Sequence, residues 1–389
     1  TIFYLICSNI KDFKFINEIF GMEKGNQVLL KQAKLMSSNP SERTICARLM
    51  NDRFALCLPR EEFAENRVAD SVKELQREFT GNSFHLHMYM GVYEIRDRDE
   101  AVSIMVDKAN IAADTIKNNY DCCVSYYDEH LLEISIEQRR LLGEFEPALQ
   151  KDEFVMYLQP QVNRDGVARG AEALVRWAHP SRGILTPYAF IDILENAGLI
   201  YKLDLYIWEK AAQKLAEWKE KGYGSYHISV NISTKDFYII DIYETFTGLI
   251  NKYGIAASNL HLEITEKTLM TDFEKNMNII HKLQNVGFRM EIDDFGSGYS
   301  SLNMLKDISA DVLKIDMGFL RKSENEVKGQ DILESIITLA GKIGMDVITE
   351  GVETKKQLDM LTMMGCHEFQ GYYFSKPIPV SEFEEKYLV

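Results

Sequence analysis

Between residues 154 and 373 the chain alternates apolar runs with amphipathic stretches, and this alternation constrains its fold more than any other feature. The strand-like runs lie at 154–159, 170–176, 226–231, 260–265, 288–293, 312–316, 346–350 and 367–373. Between most of them, apolar residues spaced three and four apart predict helices at 187–197, 202–221, 241–253, 272–286, 330–343 and 354–364. Eight strands with helical crossovers in about 240 residues is the size of an α/β fold of the TIM-like (β/α)8 barrel type.

In such barrels the chemistry gathers at the carboxyl ends of the strands. Here those ends carry Gln159, Glu172 with Arg176, Asn231, Glu263, Asp293 with Asp294, Lys314 with Asp316, Glu350 and Gln370. A buried charge needs a partner, so acids, an amide and a lysine converging on one rim predict a metal site. Asp293 and Asp294 are the sharpest case, because adjacent carboxylates at a strand end repel each other unless a cation lies between them. Taken alone, the pair also reads as an N-cap for a helix starting near Ser300. Gly296 and Gly298 then give backbone freedom to a loop carrying Ser297, Ser300 and Ser301. Period-two alternation puts Glu291 on the same side as Asp293, inside the barrel. There it is expected to pair with a nearby Lys or Arg; a local irregularity that turns it outward is the alternative.

Residues 1–128 read as a separate α/β sheet domain. Strands are expected at 1–8, 84–93 and 122–127, helices at 12–20, 25–37, 61–79 and 98–118, and a hairpin at 45–49 and 54–58 around a polar tip. Residues 129–150 form a helical connector in which Pro147 predicts a break after about Leu142. The barrel then occupies residues 151–389.

The formal charge of −15 excludes a general surface for a nucleic-acid polymer, so an anionic ligand must be held by local cations or metal. The six cysteines show no CxxC or zinc spacing, which fits a reducing, cytoplasmic setting. No apolar run reaches the roughly 18 residues of a membrane span. The sequence begins without Met inside a strand-like run, so an upstream sensor or membrane region is expected in a longer protein.

Phe13-Lys14-Phe15-Ile16-Asn17-Glu18, Gly21, Gly25-Asn26 and Arg48 to Phe54 resemble the diguanylate cyclase, or GGDEF, family over most of the first domain. The resemblance is to the scaffold. The signature Gly-Gly-Asp-Glu-Phe reads Met50-Asn51-Asp52-Arg53-Phe54, so both glycines are gone and a metal-binding acid is Arg53. Asn9 stands where the family has a metal Asp, and Asn26 replaces an acid. Residues 41–44 do not keep the Arg-x-x-Asp inhibitory site. The resemblance therefore implies a degenerate, inactive cyclase domain. Asn17 matches a guanine-contacting position, which leaves weak GTP binding as one residual role and packing, orientation or dimerisation as the other.

Leu158-Gln159-Pro160, Glu172-Ala173-Leu174-Val175-Arg176-Trp177, Val230-Asn231-Ile232-Ser233, Leu262-Glu263-Ile264-Thr265-Glu266, Asp293-Asp294-Phe295-Gly296, Leu313-Lys314-Ile315-Asp316, Glu350-Gly351-Val352-Glu353 and Gln370-Gly371-Tyr372-Tyr373 are similar, in order, to the EAL family of cyclic-di-GMP phosphodiesterases. This resemblance implies metal-dependent opening of cyclic-di-GMP to linear pGpG. It implies Glu172, Asn231, Glu263, Asp293 and Asp294 as ligands of two Mg²⁺ or Mn²⁺ ions, with Ca²⁺ inhibitory. Lys314, Glu350 and Glu172 are the implied catalytic residues. Gln159, Leu174, Arg176, Asp316 and Gln370 are implied to bind substrate, and Glu266 to anchor the loop after Asp294. A homodimer through the barrel domain is implied as well. Leu158 and Thr349 depart from the family's usual Tyr and Ala, and neither position supplies a ligand. A cyclic-di-GMP receptor or scaffold without turnover is the competing reading.

Overall fold

The computed structural model describes residues 1–11, 13–37, 41–77, 86–117, 119, 122–295, 308–316 and 326–388, with side chains in the last segment from residue 329. The chain forms two compact units, Thr1–Arg140 and Leu141–Val389.

The first unit is built on a five-stranded sheet in the order β2-β3-β1-β4-β5. Its strands are β1 (Phe3–Ile10), β2 (Ile45–Arg48), β3 (Phe54–Pro59), β4 (Met88–Ile95) and β5 (Val124–Tyr126). β1 lies antiparallel to both β3 and β4, and β5 is parallel to β4. Side chains alternate along β1, so Tyr4, Ile6 and Ile10 join one apolar cluster while Leu5 and Cys7 join another. Both faces of the strand are therefore covered. Gly91 shows how close one covering helix lies, since a Cβ there would stand 1.8 Å from the Ala109 carbonyl oxygen. The expected hairpin forms from β2 and β3. At its tip Arg53 N donates to Met50 O, and Asn51 takes φ 56°, a left-handed conformation that Asn tolerates.

The connector is one helix, Glu129–Gln150, with Pro147 inside it, which corrects the expected break near Leu142. Pro147 falls in the final turn, and its missing amide costs the helix the one backbone bond that would reach the Gly143 carbonyl. Leu141, Phe145 and Ala148 pack into the core of the second unit, and that burial outweighs the lost bond.

The second unit is a closed eight-stranded barrel. Its strands are β6 (Phe154–Val162), β7 (Ala168–His179), β9 (His227–Ile232), β10 (Leu260–Thr265), β11 (Met290–Phe295), β12 (Val312–Asp316), β13 (Asp346–Glu350) and β14 (Glu368–Phe369). Short strands β8 (Gly183–Leu185) and β15 (Ile378–Pro379) extend the sheet beside β7 and β6. From β7 through β14 the barrel strands pair in parallel, but β6 runs antiparallel to both of its neighbours. The strand-helix alternation does not hold at this first step. Asn163 to Val167 is too short for a parallel crossover, which needs a dozen residues or more, so the chain turns back at Gly166 (φ 80°) as a hairpin.

All six cysteines are free thiols. No described helix is long and apolar enough to cross a membrane.

Candidate active site

Lys314, on β12 inside the barrel, is wholly buried and sits among four carboxylates. Its Nζ lies 2.8 Å from Glu350, 2.9 Å from Glu263, 3.4 Å from Glu172 and 3.5 Å from Asp293. Each acid comes from a different strand. These approaches are ion pairs by distance without hydrogen-bond alignment, and both Glu263 oxygens, Asp293 Oδ1 and Glu350 Oε1 meet no hydrogen-bond donor.

One ammonium does not balance this charge. Burial, reinforced by Glu172, pushes the Glu263 carboxyl far above its usual range against the pull of Lys314. Burial also pushes Glu350 up to about 8, with Lys314 opposing and Asp293 and Glu172 adding to the shift. Burial alone would push the Lys314 ammonium down, but Asp293, Glu172, Glu263 and Glu350 outweigh it and raise its pKa. The rim therefore requires either protons or further cations. Buried oxygen donors without partners are the donor set that hard divalent ions take, so the residues fit Mg²⁺ or Mn²⁺.

A network of amides orients Glu172. Asn231 Nδ2 donates to Glu172 Oε1 at 3.1 Å, and Gln370 Nε2 donates to Glu172 Oε2 at 2.5 Å and to Gln159 Oε1 at 3.3 Å. Trp208 Nε1 donates to the Asn231 carbonyl at 2.9 Å and holds that strand end in place. Gln159 sits within the reversed strand β6, directly paired with Glu172 in register. Reversal of β6 is thus how Gln159 and Glu172 come to lie side by side.

β11 runs past the expected end at Asp293, through Asp294, to Phe295. Its register against β12 slips between Ile292 and Phe295, and Asp294 takes φ 56°. A bulge of this kind re-aims a side chain that strict alternation would turn away. Asp294 is reached by solvent, yet desolvation at the barrel mouth, with Asp293 and Asp316 beside it, still pushes its carboxyl up.

Arg176 and Leu174 are partly buried on β7, and the Arg176 guanidinium lies 5.5 Å from the Tyr157 ring centre. Asp316 ends β12 in register with Glu350. Thr265 caps the helix Glu266–Thr271 by accepting from Thr268 N, which puts Glu266 in its first turn. The loop that Glu266 was expected to anchor, with Gly296, Ser297, Gly298, Ser300 and Ser301, lies outside the described residues.

Glu291 is inside the barrel and fully buried, as alternation required. Its partner is a histidine rather than the expected Lys or Arg, with His261 Nδ1 at 2.6 Å from Glu291 Oε1. The sequence reading passed over His261 and His227. Both stand an even number of residues before a rim residue on the same strand, the signal that would have placed them inside.

In the first unit, a cavity of about 800 Å³ is lined by Asn9, Asn17, Asn26, Arg48, Asp52 and Arg53, among others. Asp52 already accepts from Ile10 N at 3.2 Å, and Asn9 donates to the Tyr89 hydroxyl at 2.9 Å.

Residues 143–377 match the EAL domain family and residues 1–121 match the diguanylate cyclase GGDEF domain, so the chain belongs to the EAL family and carries a GGDEF domain before the barrel. It is 29% identical over 98% of its length to 56% of the bifunctional diguanylate cyclase/cyclic di-GMP phosphodiesterase MucR of Pseudomonas aeruginosa. It is 26% identical over 97% of its length to 58% of the cyclic di-GMP phosphodiesterase PdeR of Escherichia coli. The chain spans about half the length of the curated relatives it matches. Among solved structures, 63% of the chain superposes on 99% of the PaMucR phosphodiesterase in its c-di-GMP complex, with TM-score 0.60 and 33% identity. In a separate match, 86% of the chain superposes on 81% of the EAL enzyme Bd1971 bound to cAMP and cyclic-di-GMP, with TM-score 0.61 and 25% identity.

Proposed function

We propose that the barrel hydrolyses cyclic-di-GMP to linear pGpG in a metal-dependent reaction in the cytoplasm, and that the degenerate GGDEF domain serves regulation or dimerisation. One observation carries this reading: Glu172, Glu263, Asp293 and Glu350 converge within 3.5 Å of the Lys314 ammonium at the end of the barrel where such folds do chemistry. Glu172, Asn231, Glu263, Asp293 and Asp294 would hold Mg²⁺ or Mn²⁺. When bound, such ions supply Lewis acidity toward the phosphodiester and lower the pKa of water.

The chain's own residues do the rest. Arg176 offers a planar fork to phosphate oxygens, with Gln159, Leu174, Asp316 and Gln370 around the substrate. Lys314 orients the attacking water and stabilises charge developing on phosphorus. The water oxygen bonds to phosphorus, the P–O3′ bond breaks, and O3′ leaves with a proton. Glu350, whose carboxyl burial raises toward neutrality, is suited to holding or passing a proton in this step. Glu266 anchors the loop after Asp294, and a homodimer forms through the barrel domain.

The test is purified protein with cyclic-di-GMP and Mn²⁺ or Mg²⁺. Accumulation of pGpG, suppressed by Ca²⁺, is expected. Tight binding with no pGpG over hours in Mn²⁺ would assign the chain to receptors instead.

A further inference from the structure

β9, β10 and β11, which bring Asn231, Glu263 and Asp293 to the rim, also carry a second set of inward-facing donors nearer their amino ends. These are His227, His261 and Glu291. His261 and Glu291 lie two residues before the rim donors of their strands, a step of about 7 Å along a strand. We propose that His227, His261 and Glu291 form a second metal site at the amino end of the barrel, for one borderline-soft ion such as Zn²⁺.

The geometry is close to what such an ion needs. One ligand atom from each of the three residues lies within 4.8 Å of the others. Tetrahedral ligands about 2.0–2.1 Å from zinc stand roughly 3.3 Å apart, so closure takes shifts on the order of 1 Å. The imidazole rings are stacked, with centres 3.8 Å apart and planes 5° from parallel. Zinc lies in the plane of each ring it binds, so binding tilts the rings out of this stack.

Independent observations point to a cation here. Glu291 is wholly buried against the Glu263 carboxyl, whose proton it can share, and its Oε2 meets no other donor. A cavity of about 530 Å³ opens onto all three residues and supplies an entry path. The His227 ring has room only because residue 170 is glycine, since a Cβ there would stand 2.2 Å from Nε2. Gln161 Oε1 accepts from His227 Nε2 at 2.8 Å, the kind of outer partner that fixes a ligating imidazole. Burial, with His261 beside it, holds the His227 pKa down at about 3, so the ring stays neutral as a ligand must.

The two cations at the cavity mouth are each engaged. Arg169 pairs with Glu368 at 3.6 Å and Arg289 with Asp346 at 2.5 Å. The donor set separates this site from the rim. Two imidazoles and one carboxylate suit zinc-like ions, whereas oxygen donors suit Mg²⁺ and Mn²⁺. This inference does not depend on the phosphodiesterase reading, because its readout is metal uptake and not turnover.

The test uses the chelator-treated chain with excess Mg²⁺ to occupy the rim, followed by Zn²⁺ titration in equilibrium dialysis. One Zn²⁺ per chain is expected, retained in a double Asp293→Asn, Asp294→Asn variant and weakened at least tenfold by His227→Gln. Uptake unchanged by His227→Gln would overturn the proposal. Anomalous diffraction at the zinc edge from crystals of the unaltered protein guards against a variant that fails to fold. A peak between His227, His261 and Glu291 supports the site, and a map with zinc only at the rim rejects it.

Discussion

The barrel rim and the cavity of the first unit are both polar sites on α/β scaffolds, and they differ in which charge is in excess. At the rim, buried carboxylates crowd one lysine, and their raised pKa values express an unmet demand for positive charge. In the first unit the neutral amides Asn9, Asn17 and Asn26 and the cations Arg48 and Arg53 line one cavity, and Asp52 is bonded to a backbone amide. The shape of either scaffold rests on apolar burial, whereas holding a divalent ion calls for acids that neutral amides do not replace.

The largest effect that would break this contrast lies at the rim. Glu172→Ala removes the acceptor shared by Asn231 and Gln370, and kcat for cyclic-di-GMP is expected to fall on the order of 10³-fold in a Mn²⁺ assay. Retention of a tenth of the activity would show that the carboxylate cluster is not the catalytic centre.

A smaller effect concerns pH. In the metal-free protein, Glu350 titrates near 8 rather than at its ordinary 4.5, so the folded state binds its proton more tightly than the unfolded chain does. That contribution is complete below about pH 4.5 and is lost as pH rises toward 8. Tm in EDTA should therefore decline from pH 5 to pH 8, and saturating Mg²⁺ should flatten the decline. Parallel curves with and without Mg²⁺ would mean that the acids are balanced from within the protein.

The smallest expected signal is from the first unit. Titration with GTP and Mg²⁺ at millimolar concentration should give no heat, since neutral amides such as Asn9 and Asn26 do not offset a divalent charge. Measurable binding would narrow the contrast and restore a nucleotide-sensing role through Asn17.

Much of the barrel was legible because its strands are short apolar runs ending in polar residues, and the strands 260–265, 312–316 and 346–350 read from the sequence coincide with the observed ones. Direction was harder to read. Nothing in the apolar pattern of 154–159 says that the strand runs backward; that information is in the short turn at Gly166. Pro147 misled because helix propensity is a local quantity, whereas the helix it sits in is held by Phe145 and Ala148 in the core. Lys314 was visible as a rim residue, but its enclosure by four acids was not, because they come from four other strands. The histidines were missed for another reason. Attention to strand ends overlooks inward positions at strand beginnings, which obey the same period of two.

The reversed strand β6 also bears on how the chain reaches its native state. Its hairpin with β7 is a local structure that can form early, but its other edge is sealed only by β14 and β15. Gln370 meets Gln159 across 211 residues of sequence, so barrel closure is a late, long-range event. During synthesis the amino-side strands wait with an open edge until the β14 and β15 segments emerge, and the Gln159–Glu172–Gln370 network is assembled by that same closing step. Metal affinity at the rim would then report completion of folding, appearing only after the last strands have docked.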